Sequence, residues 1–168
     1  EVKKMIKKSY TTTNDVGLPT DEDMLLINEH TLKKLEKEDV FTFSVILCDN
    51  DIDRDFERFD ENALKTLEKL FVGKTGILNH SMKSEDQNCR TYKTQVICDS
   101  TRKTVDGKAY TYLKAWCYTV RSEKNASLIK DIESGIKKEV SVSCASENRI
   151  CSICGDSHCN HIAGRKYN

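Results

Sequence analysis

Alternating, β-rich runs constrain this chain more than any other feature. Phe41 to Cys48 reads Phe-Thr-Phe-Ser-Val-Ile-Leu-Cys, a composition and alternation that suit a pleated, half-buried strand. Tyr92 to Asp99 and Ala109 to Val120 have the same character, and Asp106-Gly107 between them is a hairpin signal. Lys138 to Ala145 reads as a further strand, and a short apolar one leads to His80. Three helical segments lie between the strands. Asp21 to Lys37 places Leu25, Leu32 and Leu35 on apolar spacing. Asp60 can cap a helix through Phe71 that groups Leu64, Leu67, Leu70 and Phe71. Ser122 to Ile136 offers Ala126, Leu128, Ile129 and Ile132 for packing. These segments predict an α+β fold, a mostly antiparallel β-sheet or barrel with two or three flanking helices.

The 168 residues suffice for one domain with its own core. Residues 1–20 read as a flexible N-terminal arm, 21–149 as the main domain, and 150–168 as a Cys/His-rich tail or insert. Lys+Arg and Asp+Glu are both 27, so no net field draws the chain to nucleic acid or to a membrane. Basic and aromatic residues show no interleaving along the sequence, which also speaks against nucleic acid. The local excesses, Lys3, Lys4, Lys7 and Lys8 against the acidic run Asp49 to Asp60, read as solvated surface. No apolar run approaches the roughly 18 residues of a membrane span, and no signal peptide is visible. The start at Glu1 rather than methionine reads as a processed or trimmed product.

Without an export signal, the eight cysteines read as thiols or metal ligands rather than a disulfide framework. Cys48, Cys89, Cys98 and Cys117 stand singly and are expected in the core. The tail is different. Cys151-Ser-Ile-Cys154-Gly-Asp-Ser-His158-Cys159-Asn-His161 gathers ligand-type side chains in eleven residues. Cys-x₂-Cys holds two thiolates on one tight turn, and Gly155 permits that turn. Cys159 and His161 complete a Cys₃His set, with His158 as an alternative fourth ligand. Four protein ligands leave no open position, so the expected cofactor is a structural zinc ion.

Two further segments carry reactive side chains. Gly73-Lys-Thr-Gly-Ile-Leu-Asn-His80 ends in a histidine, and Lys138-Glu-Val-Ser141-Val-Ser143-Cys144 presents a serine. Alternation puts Ser141 with Glu139 and Ser143 on one face, opposite Val140 and Val142. A serine beside a histidine is the minimum for acyl transfer, the imidazole taking the proton as Oγ attacks a carbonyl.

The order of the acidic Asp51-Ile-Asp-Arg-Asp loop, a helix, Gly-Lys-Thr-Gly-Ile-Leu-Asn-His80, the Arg90-Thr-Tyr92 strand and Glu139-Val-Ser-Val resembles the prohead (capsid maturation) proteases of tailed bacteriophages. That family is similar in fold to the herpesvirus assemblins. The resemblance spans roughly residues 41–144 and implies an assemblin-like serine endopeptidase. It would cleave scaffold protein, capsid scaffolding segments and itself, inside the assembling prohead in the bacterial cytoplasm. The implied partners are the phage scaffold and the major capsid protein, with a homodimer by analogy to assemblins. The resemblance assigns His80 as the catalytic histidine and Ser141 as the nucleophile. Here Ser143-Cys144 stands where the family often has glycine and an aromatic residue, so Ser143 is the alternative nucleophile. The third triad member stays open among His158, Glu147, Asp156 and a residue beyond Asn168, and Arg165 is an oxyanion candidate. Two other functions remain open: a zinc-stabilised nucleic-acid- or protein-binding module, and a catalytically inactive structural relative of the protease.

Overall fold

A computed structural model describes the backbone of residues 5–146 and 149–167, and the side chains of 16–146 and 149–167. Nine elements follow one another: β1 (Met5–Gly17), α1 (Asp21–Asn28), β2 (Val40–Asp49), α2 (Glu61–Phe71), β3 (Thr75–Ile77), β4 (Gln87–Lys103), β5 (Ala109–Val120), α3 (Ala126–Glu133) and β6 (Glu139–Ala145). The strands form one six-stranded sheet in the order β3-β4-β5-β2-β1-β6, and every neighbouring pair is antiparallel. The coarse α+β class is as expected.

Residues 5–17 correct one expectation. Their sequence suggests part of a flexible arm, yet their backbone pairs with β2 on one side and β6 on the other. The β-branched and aromatic run Ile6, Tyr10, Thr11, Thr12 and Thr13 suits a strand. Gly17 and Pro19 mark its end rather than a mobile region.

β2 lies near the middle of the sheet, and nearly every residue along it is buried. On one face Phe41, Phe43, Val45 and Leu47 join Leu64 and Leu67 of α2, Ile129 of α3, Leu113 and Ala115 of β5, and Val142 of β6 in the main apolar cluster. On the other face α1 contributes Met24 and Ile27 to a smaller cluster with Val40, Tyr92 and Tyr118. A strand covered on both faces loses the simple apolar-polar alternation.

Local chemistry fixes the helix ends. Thr20 Oγ1 accepts from Asp23 N at 3.1 Å while Thr20 N donates to Asp23 Oδ2 at 3.1 Å, a reciprocal cap for α1. The helix stops at Asn28, well short of the expected Lys37. The Asn28 side chain accepts from Leu35 N at 2.8 Å and donates to Leu35 O at 3.1 Å, so it holds the following loop as a backbone strand would. As a result Leu25 and Leu32 face solvent, and Met24 and Ile27 form the buried side. Asp60 caps α2 as expected, its Oδ1 accepting from Ala63 N at 2.7 Å. Beyond its short pairing with β3, β4 is covered by α2: Glu68 Oε1 accepts from Val96 N at 2.6 Å and Glu68 O from Thr94 Oγ1 at 2.5 Å. An exposed sheet edge is thereby closed by a helix. The expected hairpin forms at residues 104–107, with Gly107 N donating to Thr104 O at 2.8 Å.

Of the single cysteines, Cys48 and Cys117 are buried, Cys89 is half-buried, and Cys98 is exposed rather than in the core. Cys89 faces Gly76 across the β3–β4 pair, and a Cβ at Gly76 would lie 2.2 Å from Cys89 Sγ. The thiol occupies the space of the missing side chain. We predict that Gly76→Ala destabilises the fold by about 1–3 kcal/mol. Cys89→Ala added to it should restore most of the loss in denaturant unfolding, because Cys89 Cβ is 3.9 Å away.

A candidate metal centre and the serine edge strand

The segment after β6 is held by turns rather than by regular structure. Gly155 N donates to Cys151 O at 2.9 Å, and Cys151 N donates to Asp156 O at 3.0 Å. These bonds fold Cys151–Asp156 into a compact knuckle, with Gly155 at φ 74° as its turn residue. The knuckle brings Cys151, Cys154, Cys159 and His161 together, and their ligand atoms all lie within 4.8 Å of one another. Cys151 Sγ is 3.5 Å from His161 Nδ1. A tetrahedral ion with bonds of about 2.3 Å to sulfur and about 2.0–2.1 Å to nitrogen would set those atoms about 3.5 Å apart. The four residues expected as ligands are therefore at metal-binding distance.

Electrostatics favours a cation here. Backbone N–H groups of Cys154 and Ile153 point at Cys151 Sγ and pull its pKa down to about 6. For Cys159 a backbone N–H from His161 stabilises the thiolate, but burial and the adjoining Cys151 and Cys154 thiols outweigh it, and the net pKa is raised. One thiolate forms readily and opposes ionisation of the next. A divalent ion held by Cys151, Cys154 and Cys159 would remove that opposition by favouring the deprotonated form of all three sulfurs.

The alternative ligand His158 is turned elsewhere. Its Nδ1 lies 2.8 Å from Ser157 Oγ, and its N donates to Asp156 Oδ1 at 3.0 Å. His158 and Asp156, both open as third triad members, are thus part of the knuckle turn. Arg165, the oxyanion candidate, is exposed beside it. Glu147 lies outside the described residues.

Contacts around the knuckle carry no sequence signal. Tyr167 meets the His161 ring edge-on at 4.5 Å, and its hydroxyl accepts from Ile162 N at 2.7 Å. Gly164 has φ 81°, and a Cβ there would lie 2.6 Å from the Phe56 ring. Phe56 itself has φ 59°, a left-handed conformation that a bulky side chain rarely adopts. Arg149 pairs with Glu57 at 2.6 Å. The Cys/His module is thereby docked on the loop that follows β2.

His80 and Ser141 are placed differently. Ser141 lies on β6, an end strand, and is exposed with Glu139 and Ser143, while Val142 is buried and Val140 half-buried. The expected alternation holds. His80 closes a 3₁₀ turn (Leu78–His80) just after β3, the strand at the other end of the sheet order, and is half-buried. Asn79 and His80 both have φ 54°. Among the described residues no hydrogen bond joins His80 to Ser141. Strands at the two ends of a sheet order adjoin only where the sheet curls into a barrel. In the ladder registers Thr75 is level with Arg90, Tyr118 and Thr42, near the start of β2. Ser141 opposite Ser9 is level with the end of β2, since Thr12 opposes Val45.

The sheet also creates a pairing that the linear sequence hides. An irregularity between Thr91 and Lys93 sets Lys93 opposite Trp116. Lys93 Nζ is 4.9 Å and Lys114 Nζ 4.8 Å from the Trp116 ring. Among the described residues no helix is long and apolar enough to cross a membrane.

No protein-family model matches the chain, and no curated protein or solved structure matches it.

We predict one tightly bound divalent ion per chain. Co²⁺ substitution should give the thiolate-to-metal absorption of a tetrahedral Cys₃His site. Cys154→Ser or His161→Ala should weaken binding by at least about tenfold, and His158→Ala should leave the spectrum unchanged, with metal content read by mass spectrometry.

Proposed function

We propose that this chain is a zinc-stabilised serine endopeptidase domain of the capsid-maturation type, acting on scaffold and capsid scaffolding segments. The observation that carries the reading is the setting of Ser141: a hydroxyl on the exposed face of an end strand. An extended peptide can pair along such an edge and present its carbonyl to a side chain projecting from it. The likeness of the segments around His80 and Ser141 to prohead proteases supplies the reaction type. In this reading Ser141 Oγ attacks the scissile carbonyl, and His80 accepts its proton and returns it to the leaving amine. Water then hydrolyses the acyl-enzyme. The reading requires the sheet to curl far enough for the His80 turn to meet β6, with the left-handed Asn79-His80 pair setting the approach of the imidazole. Backbone strain of this kind is worth keeping where geometry matters to chemistry. Zinc in the Cys₃His set is structural, because four protein ligands leave no place for substrate.

A fluorophosphonate probe tests the assignment. Labelling should map to Ser141 by peptide mass spectrometry, vanish in Ser141→Ala, and fall by about 10²-fold or more in His80→Ala, with unfolding midpoints unchanged. Labelling of Ser143 in the Ser141→Ala variant would move the nucleophile, and no labelling of either serine would leave a non-catalytic relative.

The Lys93–Trp116–Lys114 cluster favours a second reading, a face for single-stranded nucleic acid, because cations flanking an aromatic ring suit base stacking beside phosphates. On that reading an oligonucleotide quenches Trp116 fluorescence, and the effect weakens steeply with added salt. An unchanged spectrum at low salt would remove it.

A further inference from the structure

The module and the loop after β2 meet for a topological reason. With every neighbouring pair antiparallel, β2 and β6 run in the same direction, each separated from the other by β1. Their C-terminal ends therefore leave the sheet on the same side. The 50–59 loop follows one, and the Cys/His module follows the other, with Arg149 four positions after Ala145.

The loop has a turn of its own. Asp53 Oδ1 accepts from Asp55 N and from Glu57 N, both at 2.9 Å, and Phe56 N donates to Asp53 O at 3.0 Å. This turn pushes Phe56 into its left-handed conformation and lays its ring over Gly164. No residue with a side chain fits beneath it. Arg58 then ties the loop to the β4–β5 hairpin through Asp106 at 2.5 Å. Thr104 first, then Arg58, hold the Asp106 carboxyl down to about 2. The module is joined through this loop to the body of the sheet.

Among the described residues β6, seven residues long, pairs in the sheet with β1 alone. Burial of Val142 opposes a slip of one residue, but a slip of two keeps the same face inward and exchanges Ser141 with Ser143. We infer that the metal-filled Cys/His module is a clasp that fixes the register of β6 by docking on residues 53–59. Phe56, Gly164, Glu57 and Arg149 act as positioning residues for Ser141. The role for Ser141 rests on the acyl-transfer reading above; the clasp itself does not.

Hydrogen exchange on the zinc-loaded chain tests it, before and after removal of the ion by a chelator. Chelation should raise exchange by about tenfold or more not only in 149–167 but also in 51–59 and 139–145. Phe56→Gly relieves the left-handed strain and removes the ring without touching a ligand. It should still bind one zinc yet exchange fast at 139–145 whether or not zinc is present, and Glu57→Gln should act in the same direction more weakly. If chelation loosens 149–167 alone, or Phe56→Gly leaves 139–145 protected, the clasp is refuted. Fluorophosphonate labelling separates the two ideas. Metal-dependent exchange at 139–145 with an unlabelled Ser141 upholds the clasp and sinks the protease. Labelling of Ser141 at equal rate with and without zinc, on unchanged exchange at 139–145, does the reverse.

Discussion

The fold depends on the burial of β2 on both faces. Its Phe41, Phe43, Val45 and Leu47 side gathers α2, α3, β5 and β6, and its Val40 end meets the α1 layer. Fully burying a side chain of this kind contributes roughly 1.5–3 kcal/mol. No other strand with described side chains is buried so continuously along its length. The placements of the other elements follow from it. β5 and β1 are its hydrogen-bonded neighbours, and the end strands are set at the periphery, where β6 can expose one whole face.

That periphery is where His80, Ser141 and the Cys/His cluster lie, and turns and metal-type ligands take over there from hydrophobic packing. The described residues from 149 onward place no apolar side chain in either core cluster. They are ordered instead by turns around Cys151, by the Tyr167 contact with His161, and by the Phe56–Gly164 stack. A short segment without its own core needs an ion or a host surface to hold it. This one has ligands for the first and a docking loop for the second. The surface pair Arg149–Glu57 is worth little alone at its exposure, so the ring-on-glycine contact carries the specificity of the docking.

What the sequence makes legible follows the range of the interactions. Strong local signals survive: the β-rich run of β2, the alternation of β6, the Asp60 cap, the hairpin at Asp106-Gly107, and the Cys-x₂-Cys turn with its third and fourth ligands. Signals set by distant partners do not. β1 has strand chemistry, but a run of threonines ending at a glycine and proline is equally compatible with an arm until β2 and β6 flank it. The leucine spacing beyond Asn28 looks helical, yet one amide side chain captures Leu35 and ends the helix. The Lys93–Trp116 pairing needs an irregular register that no periodicity announces. Phe56 and Gly164 lie more than 100 positions apart, and neither carries a local mark of the contact.

If β6 carries the proposed nucleophile, its departures from the prohead-protease pattern bear on how a serine there could work. In Ser141-Val142-Ser143, two hydroxyls share one exposed face two residues apart, and a glycine that would admit a substrate backbone is missing. Selection between the two serines then cannot come from burial, since both are exposed. It must come from longitudinal position along the strand, because successive same-face side chains differ by about 6.6–6.8 Å in their place along it. That displacement exceeds the reach of a hydrogen bond from a fixed imidazole. A strand whose register is pinned at its C-terminal end discriminates Ser141 from Ser143, whereas a strand free to slip by two residues exchanges them. Under the proposed acyl-transfer and clasp roles, the Cys/His module and the serine strand would form one functional unit, and a metal would matter to the chemistry through position alone.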